Sequence, residues 1–416
     1  MIGSILTPWR LVWYPRLLLG ALAAALLFTL CTGQGAQIVT GRLGGDFPEF
    51  YGAGRIVASG NLSALYDEKT QRAAQRDLVP SRASGADVGF VPFAYPPQLA
   101  LAYSLLARVP YRAAFALQTA FSVACLLAAA TLVCRLSPPA SRFVPALMAA
   151  MVFYYPVFRA LLGGQTTPLT LLLVAVAAAA SRQGRDWLAG VALGLMLYKP
   201  QFGLTLLCVW ACGGRWRTVF WGLGVGCAVF LVNTAFFGPD WPGRWFAYAQ
   251  WVIATSLPLE GEKAISFIGV LQSLARRTQL DLAWIGHGLA LATAGVLALA
   301  WLRCARTGAL TRDQGLFLPL VGLAAAGTIL AAPHAYYYDA GLLFLAFPAL
   351  AQSGIRHKGR LLLALWAAGF TQLLAGLLGQ SPLVLLALTV FGCMLLLLRS
   401  ALADAARETA AGAGRA

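Results

Sequence analysis

Residues 187–214 read WLAGVALGLMLYKPQFGLTLLCVWACGG. At roughly 20 residues per membrane crossing the stretch is long enough for one apolar span, yet Lys199-Pro200 interrupts it near the middle. The proline removes an intrahelical hydrogen bond, and the lysine would carry charge into hydrocarbon. Two geometries are open. A single broken span would put Arg215 and Arg217 across the membrane from Arg182 and Arg185. Two half-length helices turning at Lys199-Pro200 would return the chain and keep these arginines on one side.

The distribution of positive charge favours the turn. Basic residues collect on the cytoplasmic side of membrane proteins, so Arg10 and Arg16 place the N-terminus inside. Apolar runs follow at 11–32, 111–134, 143–160, 165–181, 217–237, 281–302, 314–332, 337–353, 361–379 and 382–398. Counting through them, Arg135, Arg142, Arg303, Arg306, Arg312, Arg356, Lys358, Arg360 and Arg399 fall inside provided that 187–212 is a hairpin. Under the same count Asp46, Glu49, Gln165, Lys199, Glu260, Glu262, Lys263, His334 and Asp339 come out together on the outer side.

Composition sets the class. Of 416 residues 59% are hydrophobic and 11% charged, with mean hydropathy +0.72, more apolar surface than a water-soluble core of this length can hide. The net charge of +16 lies in short clusters between apolar runs, a topology signal rather than a nucleic-acid footprint. The eight cysteines (31, 125, 134, 208, 212, 227, 304, 393) form no CxxC pair and the chain has only three histidines, so no disulfide framework and no metal centre is expected. No clean small-x-small cleavage site follows Leu17 to Thr32, which reads as a retained first span. The expectation is an all-α polytopic membrane protein of one domain, 1–400, with about 10–12 transmembrane helices. Its large extracytoplasmic loops are 33–92 and 238–280, and a disordered cytoplasmic tail follows at 401–416.

Shorter features qualify this outline. PPQLALAYSLLARVP (96–110) is too short for a span and bracketed by prolines, so it reads as a partial or interfacial helix, and Tyr95-Pro96-Pro97 as its rigid, structural lead-in. EKTQRAAQRDLV (68–79) is polar nearly all round, a surface helix or irregular chain. Trp241, Trp245, Tyr248 and Trp251 have the look of an aromatic belt at headgroup level.

Asp46 and Glu49, in GGDFPEFYGAGR (44–55), stand out because Asp and Glu together number 15. Two glycines precede Asp46, so the backbone can turn tightly and let a ligand approach. A carboxylate facing a membrane-borne substrate and a helix cap with Glu49 three residues on fit the pattern equally. Lys199 suits a lipid phosphate as a point charge, against the alternative of a snorkelling helix end. His334 and Asp339 lie in AAPHAYYYDAG (331–341), where Tyr336, Tyr337 and Tyr338 offer hydroxyls and stacking faces or form an interfacial girdle. Gln165 in GGQTTP is a neutral hydrogen-bonding group or a cap. Glu260, Glu262 and Lys263 read as a solvated cluster.

The order of these motifs carries a resemblance. GGDFPEFYGAGRIVASGNLSALYD (44–67), FAYPPQLALAYSLLARVP (93–110), LLGGQTTPLTLLL (161–173), AGVALGLMLYKPQ (189–201) followed by RWR (215–217), and PHAYYYDAGLL (333–343) together resemble glycosyltransferase family 87 over about residues 10–350. These are polytopic enzymes of the GT-C class, with members that transfer mannose or arabinose from polyprenyl phosphates. The resemblance implies a first extracytoplasmic loop with juxtamembrane helices and an acidic general base near its start, matched by Asp46. It matches the family's later histidine to His334 and its Lys-Pro element to Lys199-Pro200. The chain departs in the second loop, where the resemblance implies an Asn-Gln-Ser-like segment and EKAISFIG (262–269) stands instead, with Ser266 at the serine.

The resemblance thus implies transfer, with inversion, from a polyprenyl-phosphate sugar to a lipid or glycan acceptor at the outer face of a bacterial cytoplasmic membrane. Asp46 would be the base, and Lys199, His334, Gln165, Tyr338 and Asp339 would bind donor phosphate and sugar. No cofactor and no metal is expected beyond the donor itself. A transporter or flippase would also use a broken helix and a buried lysine, but it predicts polar groups at the midplane or on both faces. The topology has a direct check: a Ser84→Cys chain should react with an impermeant thiol reagent added outside intact cells, and protection there would overturn it.

Overall fold

The computed structural model describes residues 8–32, 44–78, 90–136, 144–260, 263–306, 314–352, 358–371, 386–399 and 402. Ser84, Glu262 and the tail beyond residue 402 lie outside this set. The described chain is helical, with an isolated antiparallel bridge between Ala264 and Tyr336.

Among the described residues, three helices are long and apolar enough to cross a membrane: α5 (Tyr111–Leu136), α11 (Trp216–Phe237) and α14 (Ala283–Arg306). The apolar run 143–160 is not one straight span. It forms α6 (Val144–Val152) and α7 (Tyr155–Gly163), bent by 71° where Pro156 enters the first turn of α7, and this pair makes a fourth span if counted as one. The other apolar helical stretches are 10–17 residues long, among them Val12–Ala25 within the 25-residue α1 (Pro8–Thr32), which sets the described residues against the expected ten to twelve spans. They include α8 (Thr167–Arg182), α9 (Asp186–Leu195), α10 (Pro200–Cys212), part of α15 (Gln314–Ala331), and α18 (Leu386–Arg399). A 13-residue helix such as α10 rises only about 20 Å, short of a hydrocarbon core of about 30 Å. The run 337–353 also departs from expectation. It begins as a 3-10 helix, Tyr337–Leu345, before the six-residue α16 (Phe347–Gln352).

The hairpin reading of 187–212 holds. The Tyr198 hydroxyl reaches the start of α8, 2.5 Å from Thr170 Oγ1 and 3.2 Å from the Thr166 carbonyl. Twelve residues on, Trp210 Nε1 donates to Ser181 Oγ at the far end of α8, 2.9 Å away. The chain therefore runs down α9 to Lys199 and back along α10, leaving Arg182, Arg185, Arg215 and Arg217 at one end. From there α11 starts beside α9, with the Thr218 hydroxyl 3.1 Å from Asp186 Oδ1. The two helices meet at glycines: a Cβ on Gly190 would lie 2.4 Å from the Thr218 carbonyl, and one on Gly194 would lie 2.6 Å from the Gly222 carbonyl. Glycines four apart on both helices let the backbones touch, the small-residue packing that membrane interiors favour.

A cap of short elements covers the other end, where Lys199 lies. α2 (Phe47–Ala58) packs on α4 (Pro97–Leu106) so closely that a Cβ on Gly54 would lie 2.5 Å from the Tyr103 carbonyl. The stretch 68–79 forms α3 (Glu68–Gln75), fastened to α2 by Arg55, which grips the Asp77 carboxylate at 2.6 and 2.9 Å. α12 (Trp241–Glu260) leans on this cap, and its aromatic residues are tertiary anchors rather than a headgroup belt. Trp245 donates to the Ala94 carbonyl at 2.9 Å and Tyr248 to Gln71 Oε1 at 3.1 Å, while Trp241 and Tyr248 are buried. Trp251 alone of the four belt candidates is exposed.

The glycine contact makes a prediction. Gly190→Ala forces α9 and α11 apart and should cost about 1–3 kcal/mol, read as a lower unfolding temperature. Gly224→Ala, where a Cβ meets nothing within 4 Å, should be silent. Equal behaviour of the two would show that close packing at Gly190 does not hold this pair.

Candidate active site

Three breaks in helical structure converge at the capped end. The first is the α7–α8 corner. α7 ends on Gly164 in the left-handed conformation (φ +73°), and the Gln165 N–H closes the turn on the Ala160 carbonyl at 2.8 Å. The second is Lys199-Pro200. The third is the segment from Pro333, where Asp339 accepts from the Tyr336 N–H at 3.2 Å in the first turn of the 3-10 helix.

Asp46 opens α2 but does not cap it with its side chain. Its Oδ2 instead accepts from Gln165 Nε2 at 2.7 Å. Gln165 is not a helix cap either, since Thr166 holds the cap position of α8. Asp46 is half-buried and within Coulombic reach of Arg159. Arg159 donates to the Tyr337 hydroxyl at 3.1 Å and makes no ion pair among the described residues.

Lys199 and Asp339 form the second half of the cluster. Nζ lies 2.8 Å from Asp339 Oδ1, with the side chains 3% and 6% exposed. Thr167 Oγ1 approaches the same oxygen at 3.4 Å. The ammonium also sits 5.8 Å from the Tyr338 ring centre and 5.5 Å from that of Phe202. Lys199 is expected from its sequence context to meet a phosphate; in the structure its charge is already answered by a carboxylate. His334 is half-buried at the edge, joined to the cluster through Tyr336, whose ring centre is 4.1 Å away.

Two residues belong here that the sequence reading assigned to structure. Glu49 is 5% exposed, faces the interior rather than a solvated helix start, and lies within Coulombic reach of Lys199. Tyr95 is placed by an extended segment, 90–96, whose backbone is read by side chains. Gln75 pairs both ways with Val91, Gln71 both ways with Phe93, and Tyr66 donates to the Tyr95 carbonyl. The Tyr95 hydroxyl is pushed well above its usual range by burial first, then by the nearby charge of Glu49 and Asp339, with Tyr198 and Asp46 beyond. It is a protonated donor at any physiological pH. Tyr95 and Tyr338 are each within reach of both Asp46 and Asp339, and so join the two halves. The buried glutamines of α3 were the available signal: paired at i and i+4 on a polar helix, they had to be satisfying backbone.

The second loop also arrives here. Ile265 N–H donates to the Ala335 carbonyl at 2.9 Å, bringing 264–266 alongside the His334 segment. Ser266 is buried and caps α13 (Phe267–Thr278), accepting from the Gly269 N–H at 3.3 Å. Lys263 is half-buried beside this bridge, and Glu260 ends α12.

Carboxylates, cations and tyrosines gathered at one end of an apolar all-α bundle make a candidate site for a polar substrate. The chain belongs to glycosyltransferase family 87, whose model matches residues 93–333, more than half of its length. It is thus a GT-C-class membrane glycosyltransferase. The match takes in Tyr95, Arg159, Gln165 and Lys199, stops just before His334, and begins after Asp46 and Glu49. No curated protein and no solved structure matches the chain.

The buried pair can be tested by stability. Asp339→Ala strands the lysine charge and should cost about 3–5 kcal/mol, seen as a lower unfolding temperature. Lys199→Met with Asp339→Leu should recover most of it. A double variant as unstable as the single one would show that charge matching is not what the pair contributes.

Proposed function

We propose that the chain transfers a sugar, with inversion, from a polyprenyl phosphate to a hydroxyl of a lipid or glycan acceptor, at the extracytoplasmic face of a cytoplasmic membrane. The observation that carries this reading is the state of Asp46. It is a half-buried carboxylate at a helix start that does not cap its helix and is held by a neutral amide at 2.7 Å, with cations and tyrosines gathered around it.

The chemistry asks for little else. The sugar phosphate already carries a good leaving group, so the protein must align the acceptor, take its proton and meet the departing charge. The acceptor oxygen attacks the anomeric carbon as its proton passes to Asp46. The anomeric C–O bond to phosphate breaks with its electron pair on the phosphate. One displacement inverts the centre and needs no second catalytic carboxylate. Arg159, which makes no ion pair among the described residues, would meet the phosphate together with His334, and Lys199 would add to the field in a partly dehydrated cavity. Tyr95, Tyr338 and Glu49 supply donors and an acceptor for sugar hydroxyls. Mannose is a reasonable donor sugar by family resemblance, and the resemblance leaves the acceptor open.

The test is incubation of purified protein with a panel of polyprenyl-phosphate sugars in membrane vesicles that hold the acceptor, asking which donor is consumed. Asp46→Asn should abolish turnover of that donor, a loss of at least about 1000-fold, in a chain that inserts and unfolds like the parent. Substantial turnover by this variant would sink the base assignment.

A further inference from the structure

Asp46 and Gln165 are fastened together through the backbone as well as the side chains. The Gly44 N–H donates to the Leu162 carbonyl at 2.8 Å and the Asp46 N–H to the Gly163 carbonyl at 3.1 Å. Gly164 permits the approach, since a Cβ there would lie 2.8 Å from Phe47 Cβ in addition to the strain of its positive φ. The carboxylate and the amide are thereby held on two segments that cannot slide past one another.

The amide itself is oriented by the carboxylate. Gln165 is 2% exposed, Nε2 donates to Asp46 Oδ2, and Oε1 is buried without a hydrogen-bond partner among the described residues. Leaving a buried carbonyl unmet costs free energy, so a side chain selected for packing would not be a glutamine in this pose. A donor on a carboxylate oxygen favours the ionised form and fixes the plane of the group.

We propose that Gln165 is the positioning residue for the general base: its amide, donating to Oδ2, holds the Asp46 carboxylate ionised and in one orientation. This rests on Asp46 acting as the base. The other groups that face the carboxylate are Arg159 from α7, Tyr95 from the 90–96 segment, and Tyr337 and Tyr338 from the 3-10 helix. Glu49 follows one turn along α2. The arginine stays charged and the tyrosines stay neutral near pH 7, so a shift of the acid limb caused by changing Gln165 reports on the base.

The full chain in acceptor-containing membrane vesicles is assayed from about pH 5 to 9 with polyprenyl-phosphate mannose, or whichever donor of the panel is consumed. Gln165→Glu replaces the amide by a carboxyl of nearly the same shape. Two carboxyls at this distance share a proton, so the acid limb of kcat should move up by about one pH unit or more, with donor KM within about twofold. Gln165→Ala should lose about 10–100-fold in kcat with donor KM and unfolding temperature close to those of the parent. An unmoved acid limb in Gln165→Glu together with an unchanged kcat in Gln165→Ala, in chains that Asp46→Asn still inactivates, would overturn the proposal. A loss confined to donor KM would overturn it as well, by making Gln165 a donor contact. Activity in Asp46→Asn would instead remove the base reading on which the proposal stands.

Discussion

A lysine and an aspartate buried side by side set the terms for the rest of the bundle. In a low-dielectric interior either charge alone is prohibitive, and the two together are tolerable only at contact distance with their remaining hydrogen-bonding positions met. Nζ and Oδ1 sit 2.8 Å apart, the other carboxylate oxygen takes a backbone N–H, and aromatic rings flank the ammonium. The tip of the 187–212 hairpin and the segment after Pro333 are therefore tied at one point. Moving either element would separate the charges, so the pair fixes where the surrounding breaks in helical structure must lie.

Those breaks share a logic. Irregular backbone at membrane depth is tolerated only where protein covers it or a cavity receives it. Gln165, Lys199 and Asp339 each stand at such a break, and the α2–α4 cap covers all of them. The 3-10 run of nine residues from Tyr337 is longer than this geometry usually allows. All nine of its residues are buried, so protein packs against every side of it, Tyr337, Tyr338 and Asp339 included.

The sequence made the class legible because composition and charge are additive over the chain. The hairpin was legible too, since Arg215 and Arg217 would otherwise sit on the wrong side. Span lengths were less so: hydropathy does not register the bend at Tyr154, whose neighbours on both sides are apolar, and it does not distinguish a 3-10 helix from an α-helix in the run from Tyr337. Lys199 was recognisable as a lone cation, but its partner Asp339 is 140 positions away in sequence, and no local pattern announces the pair. Glu49 was misread because a carboxylate three residues after another at a helix start looks like a cap until its burial is known. Tyr95 does lead into the helix that starts at Pro97, but its place beside the carboxylates was not legible because it depends on Gln71 and Gln75 reading backbone across a loop.

The two sets of opposite charge at this end differ in geometry, and under the proposed reading that difference separates the roles of the two carboxylates. Asp339 touches its cation, so taking up a proton would strand the Lys199 charge in the interior; that carboxylate is committed to the fold. Asp46 is held by an amide, which neither carries charge nor loses it when the carboxylate is protonated, and Arg159 stands near enough to feel it without forming an ion pair. A carboxylate so held can gain and release a proton at little cost to its surroundings. An arginine so placed can turn its field toward an arriving phosphate without first breaking a salt bridge. Under the proposed reading, the tight pair would keep the site in shape and the loose pair would do the transfer.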